Sequence, residues 1–277
     1  MGEHVRRLNH TQKFLEDNKV CIFCGGVATT IDHVPPKITF RNKQWPETFE
    51  FAACKACNAG TRHDDQLVAF LARMGDRKEL SYLEQEEVNR LIKAVQINHP
   101  EIALKMMEMS TNAKRRVARE TGIEPAPGET FSDLPLIHLP DEVSHSVGRV
   151  AAKITKALYY KHTGMFLPSK VGIGFRWFTN VQAMAGKSPL VPEIMQIAKL
   201  KGELIRNNKV LNDQFDYQYQ ISNDHSIGVF VCVFGTSFGF LSFLTLNPDI
   251  IQNILQSMKN PDGSVRSVFE LIEWPPT

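Results

Sequence analysis

The chain has 277 residues, 43% of them hydrophobic and 22% charged, a balance that excludes a fibrous or largely disordered protein. A net charge of +2, from 32 Lys and Arg against 30 Asp and Glu, excludes a polycation that coats nucleic acid unselectively, so any such contact must be a local patch. No stretch reaches the ~18 apolar residues of a membrane span, and the charged start MGEHVRRLNH lacks the apolar run of a signal peptide; a cytoplasmic protein without a membrane partner is expected.

In chain order, Val5, Leu8 and Phe14 among charges predict a short helix over residues 3–18. Residues 21–65 hold two C-x-x-C pairs, an Asp-His pair, a Pro-Pro break and a helix start. Leu67, Val68, Leu71 and Met74 then recur at helical spacing, with Thr61 and Asp64 in capping-box order before them. Ser81 and Glu84 form a stronger box, opening a helix that runs toward Ile97 and ends before Pro100. A further helix is predicted from about residue 101 to 120, ending before Gly122.

The run IEPAPGETFSDLP, residues 123–135, has three prolines and no apolar period, and reads as a linker between residues 1–122 and 136–277. Beyond it a long helix is predicted over 144–161, closed by Gly164, followed by a strand meander over 213–246. In that meander Phe215, Tyr217, Tyr219 and Ile221 alternate with polar residues, while the run from Gly228 to Phe234 is apolar on both faces and belongs at the sheet centre. The fold class expected is α+β, with a helical extension on the N-terminal module and a C-terminal domain built on a three-stranded antiparallel meander. His138, His145, His162 and His225 are scattered and form no ligand pattern.

Four of the five cysteines fall into the pairs Cys21/Cys24 and Cys54/Cys57. Each C-x-x-C turn presents two thiolates, and two turns complete the tetrahedral shell that zinc prefers, leaving no open position for water; such a zinc is structural. The 29 residues between Cys24 and Cys54 exceed the ~15–20 of a plain zinc ribbon and leave room for a β-excursion. Cys232, alone in an apolar strand, is expected in the core.

Within the excursion lies Thr29-Thr30-Ile31-Asp32-His33-Val34-Pro35-Pro36-Lys37, and the second knuckle continues as Cys54-Lys55-Ala56-Cys57-Asn58-Ala59-Gly60-Thr61. Over residues 21–65 these motifs resemble the HNH endonucleases of the ββα-metal type with a four-cysteine zinc site. The resemblance implies His33 as general base and a divalent ion, Mg²⁺ or Mn²⁺, between Asp32 and Asn58, separate from the zinc. Hard oxygen ligands suit such an ion, and a neutral imidazole can take a proton from water. His63, with Asp64 and Asp65, could add a ligand from the first turn of the following helix. Family members usually carry a middle Asn that steadies the histidine ring. Residues 47–53 contain none, so Asn42 or a backbone carbonyl is expected to hold His33.

Neighbours in a regular strand point to opposite faces; Pro35-Pro36 is expected to end the pairing after His33 and let Asp32 and His33 converge. Residues 1–62 carry nine Lys and Arg against six Asp and Glu, and Lys37, Arg41, Lys43 and Arg62 are the expected phosphate contacts. A second basic cluster, Lys114, Arg115, Arg116 and Arg119, lies on the predicted third helix of the extension. The expected function is metal-dependent cleavage of DNA, RNA not being excluded, with a homodimer or protein contact through the C-terminal domain. The alternative is a non-catalytic, zinc-stapled nucleic-acid-binding or adaptor module.

Overall fold

The computed structural model describes residues 3–74, 80–106, 109–168, 171–188, 195–196, 198, 200–247, 249–250, 253 and 270–272. Among them the chain is a mixed α+β protein. Helix α1 (Glu3–Asp17) leads into the first knuckle, and strands β1 (Thr30–His33) and β2 (Glu50–Ala53) pair antiparallel, with His33 opposite Glu50 and Asp32 opposite Phe51. Pro35 and Pro36 lie just past the end of β1, where pairing stops. The loop back to β2 holds two short 3-10 turns, over Lys37–Thr39 and Arg41–Lys43.

After the hairpin come α2 (Lys55–Ala59) and α3 (Arg62–Met74). Asn58 therefore lies inside the short helix α2, just ahead of the start of α3. The Thr61 capping box does not form either: the Thr61 hydroxyl donates to Asp65 Oδ2 and accepts from Lys153, both bonds drawing it off the free N–H groups of α3. Ser81 and Glu84 do make a complete capping box at the start of α4 (Tyr82–Asn98). The single helix expected over 101–120 is two, α5 (Pro100–Met106) and α6 (Thr111–Thr121), because the Ser110 side chain caps a new start at Ala113 N. Gly122 closes α6 in the left-handed region, at φ 70°.

Residues 123–135 hold no helix or strand, yet Leu134 is buried, and Lys114 donates to the carbonyls of Ser132 and Leu134. Helix α7 (Glu142–Thr163) follows and ends at Gly164, whose φ of 69° suits a residue without Cβ. Then come β3 (Gly172–Thr179), α8 (Asn180–Met184), β4 (Leu200–Lys201), β5 (Ile205–Arg206), β6 (Lys209–Val210), β7 (Asp216–Ile221), β8 (Ile227–Phe234), β9 (Phe238–Thr245) and β10 (Glu270–Ile272). The expected meander is β7–β8–β9, and it sits inside a larger antiparallel sheet of order β10-β3-β9-β8-β7-β4. β8 has partners on both sides; Phe230, Cys232 and Phe234 are fully buried, and Val231 packs with Ala198 and Leu241 in a separate small cluster.

Helix α7 is the layer between the sheet and the N-terminal hairpin. Thr155 meets Ser242 of β9 at 2.7 Å, and Arg149 grips Asp64 of α3 through two bonds of 2.8 and 2.6 Å. One apolar core runs from Phe23 and Phe51 through Val150, Ile154 and Leu158 to Phe230 and Phe240. Residues on both sides of 123–135 thus share a buried interior. Among the described residues no helix is long and apolar enough to cross a membrane.

Candidate metal centre and the Asp-His hairpin

The two knuckles meet. The ligand atoms of Cys21, Cys24, Cys54 and Cys57 lie within 4.8 Å of one another, close enough to hold a metal ion and compatible with zinc. Local backbone bonds shape the first turn: Cys21 N–H donates to Gly26 O, Gly25 N–H to Cys21 O, and Gly25 takes a φ of 77° that a side chain would resist. In the second, Cys54 caps α2 by accepting from Cys57 N–H at 3.3 Å. The Cys57 thiol beside Cys21, outweighing burial, pulls the Cys21 thiol down, and Cys21 in turn pushes the Cys57 thiol up, so the two share a proton as a thiol and thiolate pair.

Asp32 and His33 find different partners. Asp32 is 5% exposed, and its Oδ2 lies 2.8 Å from the Lys153 ammonium, which comes from α7 and is itself fully buried. The same ammonium stands 3.6 Å from Asp65 Oδ2 and donates to Thr61 Oγ1 at 2.8 Å. Burial raises the carboxyl of Asp32 above its ordinary range against the pull of Lys153, and burial pushes Asp65 up to about 7. Burial alone would lower Lys153, but Asp65 and Asp32 outweigh it and hold its pKa above the usual value. Asp65 Oδ1 is closed to solvent and without a hydrogen-bond partner, while Asp32 Oδ2, equally closed, has the Lys153 ammonium as its partner.

His33 turns to the opposite strand. Its Nε2 lies 3.1 Å from Glu50 Oε1, the residue paired with it across the hairpin, and its ring packs edge-on against Trp45 with centroids 4.7 Å apart. Glu50 thus occupies the role for which Asn42 or a carbonyl was expected. Asn42 sits at φ 54° in the loop, its N–H donating to Glu87. With Glu50 accepting from Nε2–H, the ring is held in the tautomer that leaves Nδ1 as acceptor. Burial lowers the His33 pKa below its ordinary value, opposed by the Glu50 bond, and keeps the imidazole neutral near pH 7. His10 approaches the other oxygen of Glu50 at 3.5 Å.

Asn58 donates through Nδ2 to Thr30 Oγ1 at 3.0 Å and Ile31 O at 3.2 Å. Both partners accept, which fixes the amide orientation, and its Oδ1 has no hydrogen bond among the described residues. No family model, curated protein or solved structure matches this chain.

Of the first-turn residues of α3, Asp65 joins Asp32 through Lys153 and Asp64 is taken by Arg149, while His63 is exposed with its ring against His99. The His63 carbonyl accepts from His99. Among the expected phosphate contacts, Lys43 and Arg62 are exposed, and Lys37 stacks on Trp45 with Nζ 3.5 Å from the ring centre. Arg41 instead forms ion pairs with Asp213 at 3.0 Å and Glu84 at 3.6 Å, which ties the loop to two other elements. A residue that sequence reasoning missed, Arg206 of β5, stacks on Trp45 at 3.8 Å and donates to the Trp45 carbonyl. Nothing local in the sequence links residue 206 to this loop.

Proposed function

We propose that the chain is a metal-dependent endonuclease of the HNH type acting on DNA, with a structural zinc on the four cysteines. The observation that carries the reading is His33 at the end of a two-stranded hairpin, oriented by Glu50, one residue from a buried carboxylate and beside the amide of Asn58. The donor types suit a hard divalent ion: Asp65 Oδ1 is buried without a hydrogen-bond partner, and Asn58 Oδ1 has no hydrogen bond among the described residues. Asp32 and Asn58 would hold Mg²⁺ or Mn²⁺. When bound, that ion supplies electrophilic stabilisation of the phosphate and of the departing oxygen. His33 accepts the proton of the attacking water at Nδ1, while Glu50 fixes the ring and stabilises the imidazolium that forms. Lys37, Lys43, Arg62 and Arg206 supply positive charge along the hairpin for the backbone phosphates. A cytoplasmic setting and a protein contact through the sheet region belong to the same reading.

One observation favours the alternative, a zinc-stapled nucleic-acid-binding module without catalysis: the Lys153 ammonium already takes up one oxygen of Asp32. The deciding experiment incubates purified, zinc-loaded protein with supercoiled plasmid and with single-stranded DNA in Mg²⁺ or Mn²⁺, comparing wild type with His33→Ala. Nicking that vanishes in the variant supports the nuclease. Equal background in both, with DNA still bound, supports the binding module.

A further inference from the structure

Three arginines around the hairpin module are committed to carboxylates. Arg41 meets Asp213 and Glu84, Arg73 meets Glu87, and Arg149 grips Asp64 with two bonds. Arg206 of β5 is half-buried too, yet among the described residues no carboxylate pairs with it. Its guanidinium lies on the Trp45 ring, 3.8 Å from the ring centre, and Nη1 donates to the Trp45 carbonyl at 3.1 Å. Nε and Nη2 form the edge that takes a carboxylate or phosphate bidentately. In Arg149 that edge holds Asp64; in Arg206 it makes no hydrogen bond among the described residues.

The arm that carries Arg206 is held in place through its backbone. β5 and β6 turn through Asn207 and Asn208, both left-handed at φ 49° and 62°, the geometry of a tight two-residue hairpin. Glu47 N–H donates to the Ile205 carbonyl at 2.9 Å, and Asn207 N–H donates to Glu47 Oε1 at 2.9 Å, so the arm is latched to the loop that presents Trp45. Lys37 Nζ stands 3.5 Å from the centre of the same ring, and the exposed Lys209 is paired with Arg206 across the hairpin. Like charges opposite one another on two strands are unfavourable, so the arm keeps positive charge where local stability argues against it. The edge-on contact of His33 with Trp45 puts this charge one ring away from the proposed base.

We propose that the β5–β6 arm is a phosphate clamp for a nucleic-acid strand: Arg206, held on Trp45, gives its Nε–Nη2 edge to a backbone phosphate beside His33, with Lys37 and Lys209 adding charge. The clamp reads no base. The indole that could stack on one is already taken up by two cations and by His33, and phosphate contacts carry no sequence information. The inference rests on the nucleic-acid reading of the hairpin, whether or not that hairpin cuts. It goes beyond a general positive charge, because it makes residues 205–210 a dedicated part of the site and gives that site its selectivity, for backbone over sequence.

The test uses the full-length, zinc-loaded protein with labelled single-stranded and duplex oligonucleotides of two unrelated sequences, without added Mg²⁺ or Mn²⁺, so that binding is read apart from cleavage. Affinity is measured across a salt series for wild type, Arg206→Met and Arg206→Lys. Arg206→Met removes the charge and is expected to bind both sequences about tenfold more weakly. Its slope of log affinity against log salt should be shallower by about 0.9 on duplex or about 0.7 on single strand, the value of one phosphate contact. Arg206→Lys keeps the charge without the fork; it is expected to keep the wild-type slope and bind more weakly, which keeps the inference testable if the methionine variant does not fold. An arginine that only latches the arm would lower the thermal midpoint of Arg206→Met and leave the salt slope unmoved; that result overturns the clamp alone, as does a loss confined to one sequence. Inorganic phosphate at matched ionic strength is expected to leave the wild-type midpoint unchanged. A rise with phosphate that Arg206→Met abolishes would give the clamp to the free anion and overturn its assignment to a strand. Wild type that binds neither oligonucleotide overturns the nucleic-acid reading of the hairpin together with the clamp.

Discussion

The sheet and the hairpin module bury different chemistry. Around β7, β8 and β9 the interior is aromatic and aliphatic: Phe215 stacks on Tyr217 and packs against Phe234, Phe234 packs against Phe240, Phe230 stacks on Tyr219, and Thr155 meets the neutral hydroxyl of Ser242. Around β1, β2 and α3 the interior holds four thiols, the carboxylates of Asp32, Asp64 and Asp65, the ammonium groups of Lys153 and Lys156 and the guanidinium of Arg73. The first kind of core is stabilised by area removed from water and tolerates changes that conserve volume. The second depends on charge balance, so its stability rests on paired charges and on a helix far away in sequence.

The largest expected effect comes from the cysteine cluster. A structural zinc contributes of order 10 kcal/mol to folding at neutral pH, more than any one side chain of the sheet. Cys24→Ser is therefore expected to lose zinc and to lower the thermal midpoint further than any single truncation among the buried phenylalanines. Metal analysis beside a melting curve checks this, and a metal-free variant that melts with wild type would remove the zinc from the account of stability.

Next come two substitutions that keep shape. Phe230→Leu should cost less than about 1.5 kcal/mol, because the sheet core sees only a modest change in volume. Lys153→Met without added divalent ion should cost about 3–5 kcal/mol, because it leaves buried carboxylates uncompensated. Denaturant melts of both measure the contrast between the two cores directly, and equal costs would mean that the charge network contributes no more than packing does.

What could be read from the sequence divides along the same line. The knuckles, the end of β1 at Pro35-Pro36, the Ser81 box, the Gly164 stop and the alternation of β7 are local patterns, and all appear in the fold. The strand β3, with Gly172 and Gly174 in it, gave no clear alternation and was missed, as was the break at Ser110. Glu50 stands in the middle of the stretch 47–53 that lacks Asn, and only the register that sets it opposite His33 shows what it does. Lys153 had one legible signal, its place on the apolar stripe with Val150 and Ile154, but its partners lie about 90 to 120 positions away. The Thr61 box failed for the same reason: a hydroxyl that is favoured locally as a cap was drawn to a distant ammonium.

A smaller effect is expected at the ring of His33. Glu50 lies at the rim of the module, and its removal should spare the fold while freeing the imidazole to rotate. Glu50→Ala is expected to reduce DNA cleavage by about 10–100-fold, the scale seen when an outer partner of a working histidine is lost. Glu50→Gln, which can still accept from Nε2–H, should retain more activity than Glu50→Ala. If both variants cut as fast as wild type, Glu50 is not the orienting group.

The smallest effect belongs to the last turn of α7, where a half-buried histidine packs against the sheet without charge. His162 stacks on Tyr219 with centroids 3.8 Å apart and meets the Tyr217 hydroxyl at 3.1 Å. Burial, helped by the neighbouring Lys161 ammonium, pulls its pKa down to about 4. The unfolded chain keeps the ordinary value near ~6.5, so between those values it binds the proton that the fold refuses. Stability from this group is fully present above about pH 6.5 and is lost as pH falls toward 4, by roughly 1–2 kcal/mol once partial solvent screening is allowed for. His162→Gln should melt with a smaller drop between pH 7 and pH 4.5 than wild type, the carboxylates that titrate below pH 5 being common to both. An identical drop would mean that the imidazole becomes charged against the folded sheet, and that this part of the core, like the hairpin module, has a counter-charge within reach.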